Sequence, residues 1–338
     1  MRPASPFALA APAALAALLI PACSKESPKP SEAVEASLPP EPAPSASPSE
    51  ASSAPVPLVP PTPMATLQLL DPGQPPRRRL RYVWRVDQRE QLALDLGTSA
   101  TVGGKSDIAL PTAHIAIAVE PKSVSPEGDL QYAWRVTGTS VKADPAVSPE
   151  IADGMRQQVG LVEHMRGTAV ETAQGLSKDL TVDPTSVDPG SQTQMVVQVV
   201  QTLRDVAAPL PAEEVGEGAR WQKLARMDAR DAHVVQTETF TLASMKGDTG
   251  TLADSLAQTA SPQSVSPGGG PPARIESMLT SGEAKYRFAL TRLVPQMAFE
   301  GTSQMLLAGQ GAETPGRMAL TVRVKIALDG TTAPGEPR

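Results

Sequence analysis

The sequence predicts a mainly β, α+β domain: one large, curved antiparallel sheet, a half-open β-barrel, with two helices covering one face. Three observations predict it. Long stretches alternate apolar and polar residues with the period of two that sends every other side chain to one face of a strand. Turn signals separate these stretches at hairpin spacing. Only two segments, near 149–165 and 190–207, change to the helical period.

The chain opens with Met1-Arg2 and runs apolar from Phe7 to Ile20. A short positive start, an apolar run and a small residue before a cut mark residues 1–22 as a signal peptide. The run is 14 residues, shorter than the roughly 20 that span a bilayer. The closing Ile20-Pro21-Ala22-Cys23 resembles the lipobox of bacterial lipoproteins. That resemblance implies that Cys23 is the mature first residue and the lipid-attachment site. Ser24 after it leans, by the same family logic, toward the outer membrane, facing the periplasm or the cell surface. Two or more acyl chains anchor stably where one holds only marginally. Cys23 is also the only cysteine, so the body carries no disulfide and is expected to rely on packing.

Residues 23–76 read as a disordered spacer. Ser24 to Pro76 holds 15 prolines in 53 residues, mixed with Ser, Ala and Glu, and such a composition builds no core. Its reach lies between roughly 40 Å as coil and roughly 160 Å as polyproline II. Met64–Leu70 is an apolar island that can dock on the body.

The body is expected over 77–330. Leu80, Tyr82, Trp84 and Val86 alternate as a first strand, and the pattern returns at Leu130, Tyr132, Trp134 and Val136. Tyr286 and Phe288 make a third pair. Two readings stand for these six aromatics: the core of the sheet, or the lining of a cavity for an apolar, lipid-like ligand. Between them, Ala113, Ile115, Ile117 and Val119 share a face, and 123–129 turns the chain into the next strand. Ser148-Pro149-Glu150 is a helix start: N-cap serine, proline at the first helical position, an acid in the first turn. Val170 to Val182 reads as a hairpin around Gly175. Met195 to Val200 has strand propensity, but Gln194, Gln198 and Gln201 recur at helical spacing and leave Val196, Val199, Val200, Leu203 and Val206 as a stripe, so a helix is expected. Strands follow near 219–230, 233–244, 249–259, 274–293, 297–308 and 317–328, with a loop at 261–272 and a tail at 331–338.

This order resembles the LolA/LppX-like lipoprotein fold, an unclosed barrel plugged by helices. It is also similar to uncharacterised bacterial lipoproteins in the Tyr-x-Trp first strand and in Pro211-Ala-Glu-Glu-Val215-Gly216-Glu-Gly218-Ala-Arg-Trp221. In some members of that class the cavity takes lipid or acyl chains, and the resemblance implies no catalysis.

Chemistry-bearing motifs are few. Ser99–Ser106 brushes a phosphate-binding loop, yet lacks its first glycine and is followed by a β-run, so it reads as a glycine turn between strands. His114, His164 and His233 lie far apart, with His164 expected at a helix end. No zinc spacing and no nucleophile elbow occur. Asp183 and Asp188 flank a turn, and Asp228, Asp231 and Glu238 converge only if the fold brings them together. No metal or cofactor is expected. The net charge of −6, with basic residues clustered only over Arg77–Arg81, argues against a nucleic-acid partner. The expected function is a membrane-anchored, non-catalytic binding module for an apolar ligand. The alternatives are a solid-core interaction lipoprotein and, last, a hydrolase.

Overall fold

The computed structural model describes residues 65–104, 107–142, 145, 147–187, 194–229, 232–265, 273–309 and 317–332. The segment expected to be a signal peptide, the expected lipid site Cys23, most of the expected spacer and residues 333–338 lie outside the described residues.

The described chain is mainly β, as the alternation predicts. In order it forms β1 (Thr66–Asp71), β2 (Arg78–Arg79), β3 (Glu90–Val102), β4 (Asp107–Ala109), β5 (Thr112–Val124), β6 (Leu130–Lys142), α1 (Pro149–Gly160), β7 (Arg166–Glu171), β8 (Ser177–Val182), α2 (Gln194–Arg204), β9 (Glu214–Val215), β10 (Arg220–Ala229), β11 (Ala232–Lys246), β12 (Thr249–Ala260), β13 (Gln263–Val265), β14 (Ala273–Ala289), β15 (Gln296–Gly309) and β16 (Arg317–Thr332). One antiparallel sheet runs β1-β10-β11-β12-β14-β15-β16-β3-β5-β6-β7-β8, with β4 and β13 on short side pairings, and β2 pairs with β9 separately. The path begins at β1 and ends at β8, so the sheet is open. Side chains from β6, β10 and β14, far apart in that order, meet α1 and α2 in one cluster. The sheet therefore curls around its helices.

Inward positions follow the alternation. Ala113, Ile115, Ile117 and Val119 on β5 are all buried, as are Leu130, Tyr132, Trp134 and Val136 on β6. The hairpin turn closes through Ser125 N–H to the Asp129 carbonyl at 2.9 Å. Gly103 and Gly104 turn β3 toward β4 with φ of +59° and +69°, the glycine turn expected there. Ser148 caps α1, its hydroxyl accepting from Ile151 N–H. Helix α2 is helical despite its valines, because the stripe Val196, Val199, Val200 and Leu203 buries against the core. Helix α1 is shorter than the apolar periodicity: it stops at Gly160, while Val162 and Met165 continue into the core beyond it. No described helix is long and apolar enough to cross a membrane.

Three expectations require correction. Leu80–Val86 joins no strand: it is extended chain whose Tyr82 N–H donates to the Ala173 carbonyl and Val83 N–H to the Leu290 carbonyl. Leu80, Tyr82 and Trp84 are buried, but Val86 is half exposed. Period two reports an extended backbone, not a sheet partner. The first long inner strand is β3, with Leu92, Leu94 and Leu96 inward, paired along its length with β16 and in its first half with β5. The folded part also starts before residue 77: Thr66–Asp71 pairs with β10 at the sheet edge, so the apolar island Met64–Leu70 does dock on the body through Thr66–Leu70. Finally, His164 is not in a helical turn; it follows α1 with φ 74° on the surface.

Candidate functional site: a polar cavity under the second helix

The inward face should be apolar throughout, and across its middle it is not. Strand β11 sends inward Val234, Gln236, Glu238, Phe240 and Leu242; β12 sends Leu252, Asp254, Leu256 and Gln258. Register aligns two of these polar positions with two more into a row. Gln236 faces Gln258, Gln258 faces Thr280 on β14, and Thr280 faces Ser303 on β15. All four are buried. Gln258 donates to Gln236 Oε1, and Thr280 donates to Ser303 Oγ at 2.9 Å. Beyond this row lie Ile275, Met278, Met305 and Leu307 of a second apolar cluster, which also reaches back past the row to Leu256 and Phe299.

Beside the row lies a charged group. Lys223 on β10 faces Glu238 directly, and its Nζ is 2.9 Å from Glu238 Oε2 and 2.6 Å from Asp205 Oδ1, just past α2. Gln201 on α2 donates to the other Asp205 oxygen. Asp254 sits diagonally across from Glu238, opposite Phe240. It is 5% exposed, and its Oδ1 has no hydrogen-bond partner among the described residues. Burial alone depresses the Lys223 ammonium, but Asp205 and Glu238 override it and hold Lys223 protonated. Burial, and then the Glu238 charge, push Asp254 up to about 8. One cation thus serves three carboxyls, and the least solvated of them keeps its proton at neutral pH.

Asp205, Glu238 and Asp254, with Gln236 of the row, border a cavity of about 90 Å³. Helix α2 covers it with Gln198, Gln201 and Thr202, and its other walls are Leu256, Tyr286, Met297, Phe299, Ile326 and Leu328. The covering chain is held where it leaves α2. Tyr82 donates to the Ala208 carbonyl at 2.9 Å, Trp221 Nε1 to the Pro209 carbonyl at 3.0 Å, and Arg81 to the Pro211 carbonyl at 2.8 Å. Trp221, Phe240 and Tyr286 form an aromatic line from this anchor to the cavity, with successive centroids 6.1 Å apart.

A further carboxyl lies deeper. Glu171, inward on β7, is fully buried, and neither oxygen has a partner among the described residues. Burial first, then the Asp205 charge, raise its pKa far above the carboxylate range, and Lys223 offsets this only in part.

Of the six aromatics singled out in the sequence, only Tyr286 lines this cavity. Tyr82 and Trp84 stack on one another at 4.3 Å, and with Tyr132, Trp134 and Phe288 they belong to the packed core. Trp134 also borders a larger recess of about 590 Å³ at the other end of β5 and β6. Its charges are largely matched at the surface, Arg89 and Lys122 with Glu120 and Arg166 with Asp183.

The remaining candidates disperse. His114 pairs with Asp95 on the surface at 2.6 Å, and His233 is exposed on β11. Asp183 caps a short turn at Thr185, and Asp188 and Asp231 lie outside the described residues. Glu238 joins Lys223, Asp205 and Asp254. Among the described residues no group of three His, Cys, Asp or Glu is arranged to hold a metal. No protein-family model matches the chain, and no curated protein matches its sequence.

Proposed function

We propose that this chain is an envelope lipoprotein tethered through acyl chains on Cys23, and that its β body is a non-catalytic binding module. The lipobox-like segment and the proline-rich spacer support the tether. The cavity beneath α2, with an unpartnered carboxyl on its floor and apolar walls above, is the observation that carries the binding role. Its size argues for a ligand of a few heavy atoms. Drug-sized ligands occupy about 300–1,000 Å³, and an acyl chain needs comparable room, so the lipid-like ligand implied by the LolA/LppX resemblance fits this cavity poorly.

The packed state of Tyr82, Trp84, Tyr132 and Trp134 favours a second reading, an interaction module with a solid core, displayed on its spacer to a protein partner.

Fractionation tests the tether. The wild-type chain is expected with membranes and the Cys23→Ser chain in the soluble fraction; a soluble wild type with an unmodified thiol overturns it. Native mass spectrometry of the protein released from membranes separates the two readings. A small adduct beyond the acyl chains supports the binding module. An adduct-free protein whose crosslinks vanish when the spacer is shortened supports the interaction module.

A further inference from the structure

The ligand class follows from what the cavity lacks. Its floor presents Asp205, Glu238 and Asp254 to a single built-in cation, Lys223. Fully ionised, this group carries two uncompensated negative charges in a cleft between sheet and helix that is partly open to solvent, with Asp254 and Glu238 on its buried side, where charge is costly to hold unpaired. Asp254 is the carboxyl left over. Lys223 is within range of its charge, yet Nζ is committed to Asp205 and Glu238, and Asp254 Oδ1 faces no donor among the described residues. Two of the amides nearby are engaged with other partners: Gln258 donates to Gln236, and Gln201 donates to Asp205.

The walls narrow the choice of cation. A bare metal ion needs several oxygen ligands around it, and no described group of carboxyls has that arrangement. One side of the cavity is instead hydrocarbon and aromatic ring, from Leu256, Met297, Phe299, Ile326 and Tyr286. Such a wall suits a short alkyl chain and offers ring faces to a cation. At about 90 Å³ the space holds several waters, each taking about 30 Å³ of liquid, or one amine of a few carbons.

We propose that the cavity under α2 binds a small primary alkylammonium, its N–H groups donating to Asp254 and Glu238 and its alkyl chain lying against Phe299, Met297 and Ile326. This rests on the binding-module reading of the body and is independent of the tether. The ammonium takes the place of the proton on Asp254, so binding releases a proton wherever that carboxyl is neutral. The charged and titratable groups around it are Lys223 from β10, Glu238 from β11, Asp205 after α2 and Tyr286 from β14, while Glu171 from β7 interacts with Asp205 and Lys223. Lys223 stays charged and Tyr286 stays neutral through the neutral range, so the dependence lies with the carboxyls, and Asp254 is the one the ammonium meets.

The test is isothermal titration of the full chain in detergent with n-propylammonium chloride, and with sodium chloride as the ionic control, at pH 6.5 and 8.5. Propylammonium is expected to bind roughly tenfold or more tightly at the higher pH, which follows from a proton with pKa near 8 being displaced. In wild type at pH 6.5, buffers of different ionisation enthalpy are expected to report close to one proton released per ligand. Asp254→Asn is expected to weaken binding at least tenfold and to erase the pH dependence. Equal responses to propylammonium and sodium, binding without proton release, or an Asp254→Asn chain that binds as wild type does would each overturn the proposal. A chain that is soluble in cells yet binds propylammonium in this way removes the tether and leaves the site standing.

Discussion

Asp254→Asn is the sharpest probe of the buried charge, through stability as well as through binding. In the folded chain the carboxyl holds its proton up to about pH 8; its ordinary value is 3.8. Between those values the folded state binds more protons than the unfolded state. Stability therefore falls as pH rises through that window, by about 1.4 kcal/mol per pH unit for one such group. From pH 5 to 7 the loss from Asp254 alone is about 3 kcal/mol, a large share of a typical 5–15 kcal/mol total. An asparagine has no proton to lose. Relative to wild type, the variant is expected to gain about 3 kcal/mol between pH 5 and pH 7, whatever its offset at pH 5. Equilibrium urea unfolding of both chains at pH 5, 6 and 7 measures this directly. Exposed carboxylates such as Glu120 and Asp183 cancel in the comparison because both chains carry them. A difference between the two chains that stays constant across this range refutes the reasoning: Asp254 would then be ionised in the folded protein at pH 5, and the cavity more polar than its walls imply.

Glu171→Gln follows the same sign. The wild-type carboxyl is held neutral at the cost of stability above its unfolded pKa, so the amide is expected to be the more stable chain at pH 7 and the less pH-sensitive one, read by the same unfolding series. Gly216→Ala is expected to cost more than 2 kcal/mol or prevent folding, because a Cβ there stands 1.8 Å from the Gln74 carbonyl oxygen; Gly138→Ala, with open space around it, is the matched control in thermal melts. Trp221→Phe leaves the Pro209 carbonyl without its donor and is expected to lower stability by about 1–3 kcal/mol, with faster hydrogen exchange in the chain leaving α2.

Much of the fold was legible because it rests on local pattern. The β5 and β6 faces, the Ser148 cap, the Gly103-Gly104 turn and the helical spacing of the glutamines in α2 each declare themselves within a dozen residues. What misled was partnership. Leu80–Trp84 alternates as a strand does and buries as one does, but its backbone bonds go to Ala173 and Leu290, which no local pattern encodes. The site was less legible still. Gln236, Glu238, Asp254 and Gln258 sit at positions whose parity matches buried neighbours such as Val234, Phe240, Leu252 and Leu256. That mismatch, polar residues in phase with apolar ones on two adjacent strands, was a visible signal. Reading charges by motif rather than by strand parity passed over it. Lys223 carried the same signal, in phase with buried Trp221 on β10, but Asp205 gave none, since their meeting depends on the path from α2 into β10.

Strand β16 lies between β15 and β3, so residues near 320–332 complete the pairing of residues near 90–102. A growing chain must therefore carry β3 with one flank bare until residues 317–332 have emerged. Such distant pairing slows assembly and leaves an apolar strand open to other chains meanwhile. Loss of the last described strand would leave two halves, each with a raw border, and such a fragment belongs to aggregation rather than to a smaller working version of the same protein.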